Sequence, residues 1–417
     1  MKTSEVAKRA KQASRRLAEV DSGVKDGALL EMAEAIERRA GQILAENAED
    51  LAEGRDKGLS EALIDRLMLD EARLKGIASS LRDIIALSDP VGEVVEGHRT
   101  PEGLTVEKVR VPFGVVLVVY EARPNVTVDA AALCVKTGNS VILRGGSDAT
   151  RSNRVLASVI TGAAVDAGLP ADCIQYLKDA RREALLEMLQ HKEYIDLVIP
   201  RGGESLKDFL VKNSKIPVLY AAGGNCHVYV DQTADLEQAL AITVNSKCQR
   251  PGVCNAAETL LVHEAVAGRF LPTVAIALQK QDVKLYVDER GREILEGKGI
   301  KVSKATERHY ATEFLGLEMA VKVVDSIDEA VEHIALYGTG HSEAIVTRDL
   351  ATSRRFAQVV DAAAVYINAS TRFTDGGVFG MGAEIGISTQ KLHARGPVAL
   401  RELTSIKYVV SGDGHIR

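Results

Sequence analysis

Apolar residues recur at three- and four-residue spacing through "VKDGALLEMAEAIERRAGQILAENAEDLAEG" (24 to 54), and comparable spacing runs over most of the first ninety positions. That period predicts amphipathic helices, with Gly54 as a stop. From Pro112 the texture changes to short β-branched runs alternating with helical stretches: "GVVLVVY" (114 to 120), "SVILRG" (140 to 145), "IDLVIP" (195 to 200) and "CHVYVD" (226 to 231). The rhythm resumes in "ETLLVH" (258 to 263), "AVKVVD" (320 to 325), "SEAIVT" (342 to 347) and "AAVYIN" (363 to 368). Strands alternating with helices predict parallel sheets flanked by helices, here in two α/β domains. The first is expected over 1–91 and 113–231, the second over 232–390. Two pieces break the pattern. Residues 92–112 read as a hairpin turning at Pro101-Glu102-Gly103, and 391–417 end in "LTSIKYVVSGDGHIR"; both are expected to be arm strands for a partner subunit, or else an edge hairpin within one chain.

Composition narrows the class. The chain has 417 residues, 46% apolar and 26% charged, and no run of about 18 apolar residues that would span a bilayer. The N-terminus lacks the apolar core and cleavage site of a secretory signal, so a cytoplasmic protein without membrane contact is expected. A formal net charge of −6 without a basic tract argues against nucleic acid and leaves a small-molecule substrate. The five cysteines are odd in number and lack zinc-ligand spacing, which predicts reduced thiols and no metal site.

The chemistry concentrates in "SKCQRPGVCNAAETLLVH" (246 to 263). A cysteine taken alone is more often an inert packing residue. Pro251, however, stops the preceding helix from simply continuing and places Cys254 on a glycine-containing loop, four residues after Arg250. Such a thiol is exposed to solvent and has its thiolate favoured by nearby cationic charge and backbone N–H groups. Cys248, Cys134 and Cys173 lie in helical or helix-edge texture and are expected to pack. Cys226 and His227 alternate on a strand, so their side chains face opposite ways and do not form a metal pair.

Two segments share a pattern of strand, Arg-Gly-Gly, helix: "SVILRGGSDATRSNRVLASVI" (140 to 160) and "VIPRGGESLKDF" (198 to 209). Nucleotides bind at the carboxyl ends of such strands, where Arg144 offers charge, Gly145 and Ser147 begin the turn, and Gly202 and Gly203 repeat it. The helix N-termini would add N–H donors, although a glycine-rich connection is also what a plain tight turn needs. "GMGAEIG" (380 to 386) has the wrong spacing for the dinucleotide fingerprint.

"VYEARPNVTVDAA" (119 to 131), "TGNSVILRGG" (137 to 146), "QRPGVCNAAETLLVH" (249 to 263), "HIALYGTGHSEAIVT" (333 to 347) and "FTDGGVFGMGAEIGISTQKLHARGP" (373 to 397) together resemble the aldehyde dehydrogenase superfamily. The resemblance implies an aldehyde dehydrogenase-like α/β fold: two doubly wound domains, one a Rossmann-like cofactor domain and one catalytic, plus a small β oligomerisation arm. It puts Cys254 at the catalytic thiol, Asn125 at the oxyanion asparagine, Arg144 at a cofactor-binding lysine and Glu313 at the glutamate that holds the nicotinamide ribose. Ser147 stands where NAD-preferring relatives carry a glutamate, which implies NADPH/NADP. Ala221 stands where aldehyde-oxidising relatives carry a water-activating glutamate, so the thioester is expected to exchange with phosphate instead. Within the superfamily these matches imply NADPH-dependent reduction of L-glutamate 5-phosphate to its 5-semialdehyde in proline biosynthesis. They also imply a homodimer or homotetramer and a transient association with the upstream glutamate 5-kinase. Arg123, Arg250, Lys247, Arg372 and His393 are candidates for the substrate's charged end, each equally open to a structural ion pair. A hydrolytic dehydrogenase, a non-catalytic cofactor-binding protein and a cysteine hydrolase are the competing expectations.

Overall fold

The structure, a computed structural model, describes residues 2–220 and 223–417. The chain forms two compact units: Met1–Tyr220 with Gly380–Gly386 and Val398–Arg417, and Ala221–Phe379 with Ile387–Pro397. Among the described residues no helix is long and apolar enough to cross a membrane.

The first unit is built on a parallel sheet with strand order Ile174–Tyr176, Ser140–Arg144, Val115–Tyr120, Leu197–Arg201. The central run "VVLVVY" is apolar at every position because both faces are covered, as parallel sheets require. Val116, Val118 and Tyr120 enter one core with Met32, Leu74, Leu133 and Leu156. Val115, Leu117 and Val119 enter another with Val6, Met188, Leu210 and Ile216. The opening helices Thr3–Leu17, Ser22–Arg38, Ala40–Asp56, Glu61–Leu67 and Glu71–Ile85 match the helical period. Gly54 does not stop its helix, contrary to expectation. It packs inside Ala40–Asp56, where an added Cβ would lie 3.0 Å from Leu59 Cδ1, and Gly58 at φ +75° follows the helix end instead.

The two irregular pieces do pair. Val94–Arg99, Thr105–Pro112 and Thr404–Ser411 make a separate antiparallel sheet, closed at Thr100–Gly103 and leaving Val94, Tyr408 and Val410 exposed. Only 404–411 of the expected 391–417 arm segment takes part; Gly396–Pro397 pairs with Ile387–Ser388 in the second unit.

The second unit holds a parallel sheet ordered Ser303–Lys304, Lys284–Val287, Glu318–Val324, Ala257–His263, Cys226–Val230, Ser342–Val346, Ala364–Ile367. This corrects the boundary drawn at 231. Cys226–Val230 hydrogen-bonds to Ala257–His263 and Ser342–Val346, so it belongs to the second sheet and the break falls after Tyr220. The strands Ile174–Tyr176 and Lys284–Val287 escaped the pattern because three or four residues with a polar member show no usable period.

The entry to the central strand of the first unit is tightly set. Gly114 has φ +126°, the next N–H, of Val115, donates to Asp196 Oδ2 at 2.8 Å, and a Cβ at Gly114 would lie 2.4 Å from that oxygen. Gly114→Ala is therefore expected to cost roughly 2–5 kcal/mol through backbone strain and displacement of Asp196. A melting temperature equal to that of the unmodified protein contradicts this.

Candidate active site

Cys254 lies in the second unit, in the turn between the helix Leu236–Cys248 and the strand Ala257–His263. Pro251 and Gly252 break the helical path as the spacing predicted. The thiol-bearing residue is half-buried, whereas Cys134, Cys173 and Cys226 are buried. Burial pushes the Cys134 and Cys173 thiols up to about 12 and Cys226 well above its ordinary value, which leaves them protonated and inert. Cys248, at the helix end, is shifted in the same direction by partial burial.

The turn is held by its backbone and by its neighbour Asn255. A Cβ on Gly224 would lie 1.4 Å from the Cys254 carbonyl oxygen, so the two main chains meet at a separation only glycine permits. The Cys226 thiol donates to that same carbonyl at 3.2 Å. The Asn255 amide donates to the Thr374 carbonyl at 2.9 Å, and Thr371 Oγ1 donates to the Asn255 carbonyl at 2.7 Å. Cys226 thus faces the Cys254 turn, while the next residue, His227, bonds Glu343 at 2.9 Å in a fully buried pair. Among the described residues no group of three metal-ligating side chains occurs.

Two acidic side chains flank the turn. The Gly224 N–H donates to Glu313 Oε1 at 2.6 Å, which brings Glu313 onto the glycine that supports Cys254. Glu258 lies on the following strand and was not anticipated. Burial pushes its carboxyl up to about 7, with the Lys247 ammonium opposing and Glu313 reinforcing the rise. Lys247 is the partner, 2.5 Å away, and both side chains are wholly inaccessible. That placement removes Lys247 from the substrate candidates, because its charge is already neutralised by Glu258 in the interior.

Arg372 is half-buried and donates to Gln249 Oε1 at 2.9 Å and to the Asn255 side-chain oxygen. Burial is the main influence lowering its pKa, followed by repulsion from Arg250, while Cys254 favours the charged form. The positive charge that acts on Cys254 is thus that of Arg372. His393 is exposed on the segment Ile387–Pro397 of the same unit.

The remaining expected residues belong to the first unit. Asn125 opens the helix Asn125–Lys136 and gives its amide N–H to Asp129 at 2.9 Å; Arg123 is half-buried just before it. Arg144 ends its strand and donates from Nη2 to the Ala180 carbonyl at 2.6 Å, leaving a buried Nε with no partner among the described residues. Gly145 is buried, where a Cβ would meet the Asn153 side chain at 2.1 Å, and Ser147 is exposed. At Gly202 a Cβ would meet the Glu121 carboxyl carbon at 2.6 Å, and the Gly203 N–H donates to Glu121 Oε2 at 3.2 Å.

One expectation fails. The N-terminus of Thr150–Asp166 does not offer its N–H groups to a phosphate: Asp50 accepts from the Arg151 and Ser152 N–H groups at 3.2 and 2.8 Å, with a further bond from Ser152 Oγ. Asp50 is 100 residues away in sequence, and no local motif announces it. The orphan Arg144 Nε fits a ligand acceptor such as a nucleotide oxygen; that helix end does not, and the glycine turns are packed against Asn153 and Glu121.

Two outcomes follow from this geometry. Gly224→Ala should abolish both turnover and the selective alkylation of Cys254 by iodoacetamide, since its Cβ displaces the Cys254 carbonyl; normal alkylation contradicts the contact. The second concerns pH. Burial lowers His333 to about 3 and His341 to about 4, below the 6.5 of the free side chain. The unfolded chain therefore binds more protons between these values, so their contribution to stability is complete above pH 6.5 and is lost on acidification towards 4 and 3. Urea midpoints should fall across this window, and His341→Asn should flatten the slope; an unchanged slope contradicts the assignment.

The aldehyde dehydrogenase family model matches residues 1–290. A gamma-glutamyl phosphate reductase of Heliobacterium modesticaldum is 55% identical over 98% of this chain and 97% of its own length. One from Moorella thermoacetica is 54% identical, with the same coverage. The crystal structure of gamma-glutamyl phosphate reductase from Thermotoga maritima superposes with a TM-score of 0.97 at 46% identity, covering 100% of both chains. The fold, the thiol-bearing turn and these relatives agree: the chain belongs to the aldehyde dehydrogenase family, within its gamma-glutamyl phosphate reductase branch.

Proposed function

We propose that the protein reduces L-glutamate 5-phosphate to L-glutamate 5-semialdehyde, releasing phosphate, as a step of proline biosynthesis. The observation that carries this function is the half-buried Cys254 on a rigid turn beside Arg372. A thiolate there attacks the acyl phosphate carbonyl, forming the C–S bond as the C–O bond to phosphate breaks. The Cys254 N–H stabilises the oxyanion, and Asn125 is the side chain proposed to assist. Arg250, Arg372, Arg123 and His393 remain the candidates for the substrate's charged groups. A nicotinamide cofactor, when bound, would supply hydride at the oxidation level this reduction needs; the role of Cys254 is to hold the acyl group as a thioester and to be the thiolate leaving group.

Arg144, Gly145, Ser147, Gly202 and Gly203 would hold the nucleotide, and Glu313 the nicotinamide ribose. NADPH is the proposed form: Ser147 presents no carboxylate to repel a 2′-phosphate, and Arg144 carries positive charge. Ala221 lies outside the described residues; in sequence it supplies no general base, which supports exchange with phosphate over hydrolysis. The edge strands Val94–Arg99 and Thr404–Ser411, with Val94, Val95, Tyr408 and Val410 exposed, suit pairing in a homodimer or homotetramer.

The test is NADP reduction with glutamate semialdehyde at varied phosphate, using the unmodified enzyme and Cys254→Ser. The rate should depend on phosphate and fall by about a thousandfold or more in the variant. A phosphate-independent rate would indicate a hydrolytic dehydrogenase, and an active Cys254→Ser would remove the thiol from the reaction.

A further inference from the structure

The pair Lys247–Glu258 takes no part in the reaction proposed above, yet it is buried completely beneath it. An ion pair in that position contributes little stability beyond what packed apolar side chains of the same volume would give. Its geometry suggests another use. Lys247 engages Oε2 of Glu258, which leaves Oε1 to accept the Leu315 N–H at 3.3 Å. Lys247 Nζ also lies 5.9 Å from the centre of the Phe314 ring. Leu315 has φ +53°, a left-handed conformation that a leucine keeps only where surrounding contacts impose it. Two residues earlier, Glu313 is fastened to the Gly224 N–H. The segment Glu313 to Leu315 is thus pinned at one end to the glycine behind the nucleophile and at the other to Glu258.

We infer that Glu258, neutralised and held by Lys247, is a positioning residue: through the Leu315 N–H it fixes the backbone that aims the Glu313 carboxylate at the cofactor. The inference rests on Glu313 being a cofactor ligand. The upward shift of Glu258, to which Glu313 contributes, agrees with two carboxylates held close together.

Two double variants separate hydrogen bonding from charge. Lys247→Met with Glu258→Gln removes both charges and keeps an acceptor for Leu315; Lys247→Met with Glu258→Leu removes the acceptor as well. In NADPH fluorescence titrations the Leu form should bind about tenfold more weakly than the Gln form, the scale of one lost buried hydrogen bond. Alkylation of Cys254 by iodoacetamide should proceed at the same rate in both, because the turn itself is held by Gly224 and Asn255. Glu258→Asp keeps the ion pair but shortens the reach to Leu315, and should also weaken NADPH binding; it decides the matter if the double variants fail to fold. Equal NADPH affinity of the two double variants, or unmodified affinity in Glu258→Asp, overturns the inference. Glu313→Ala is the control on its foundation. If that change leaves NADPH affinity intact, Glu313 is not a cofactor ligand and the inference falls with it; if it weakens binding while the Gln and Leu forms agree, only the positioning role is lost.

Discussion

The contact on which the catalytic unit depends is between two backbones. The Cys254 carbonyl occupies the space where any side chain at Gly224 would stand, and the N–H of the same glycine holds Glu313. One residue without a Cβ therefore ties the Cys254 turn to Glu313. Asn225 extends the anchorage, its amide donating to the Tyr310 and Tyr337 carbonyls at 2.6 and 2.8 Å. Cys226 completes it with a thiol on the Cys254 carbonyl. Gly224 and Cys226, on either side of Asn225 at the entry to the strand Cys226–Val230, thus hold the Cys254 carbonyl, and the sheet behind them supplies rigidity.

Around this contact the interior is unusually polar. Lys247 with Glu258 and His227 with Glu343 are both fully buried pairs. Each pair loses hydration that its attraction only partly returns, and removing one member leaves a bare charge or an unpaired donor. The second unit accepts that cost beside the Cys254 turn. In the first unit buried polar groups do different work: Asp50 closes the N-terminus of Thr150–Asp166, and Asn47 joins the Leu67 carbonyl, the Leu69 N–H and Ser152. Those contacts join helices of the first unit, apart from the carboxyl end of the strand Ser140–Arg144, where the Arg144 Nε has no partner among the described residues.

Much of this was legible in the sequence for a physical reason. Strands buried on both faces read as apolar runs, so "VVLVVY" and the Leu260-Leu261-Val262 centre of "ETLLVH" are legible, and Pro251 announces the end of the helix before Cys254. Contacts made across long separations were not legible. For Lys247 a substrate contact and a structural ion pair are equally open from the sequence, because nothing local shows that Glu258 lies within bonding distance across the turn. Asp50 could not be seen to accept from the Arg151 N–H 101 positions away, nor Gly224 to lie against the Cys254 carbonyl. Cys226–Val230 was assigned to the wrong sheet because a strand's sequence records its burial but not its partners.

The central claim is that Cys254 carries the acyl group and surrenders it to phosphate. Peptide mass spectrometry of enzyme incubated with glutamate semialdehyde and NADP in phosphate-free buffer measures this directly. The account predicts a glutamyl adduct on the Cys254 peptide that persists in water and is discharged on adding phosphate. An adduct on another residue, or one lost as quickly without phosphate as with it, would contradict it.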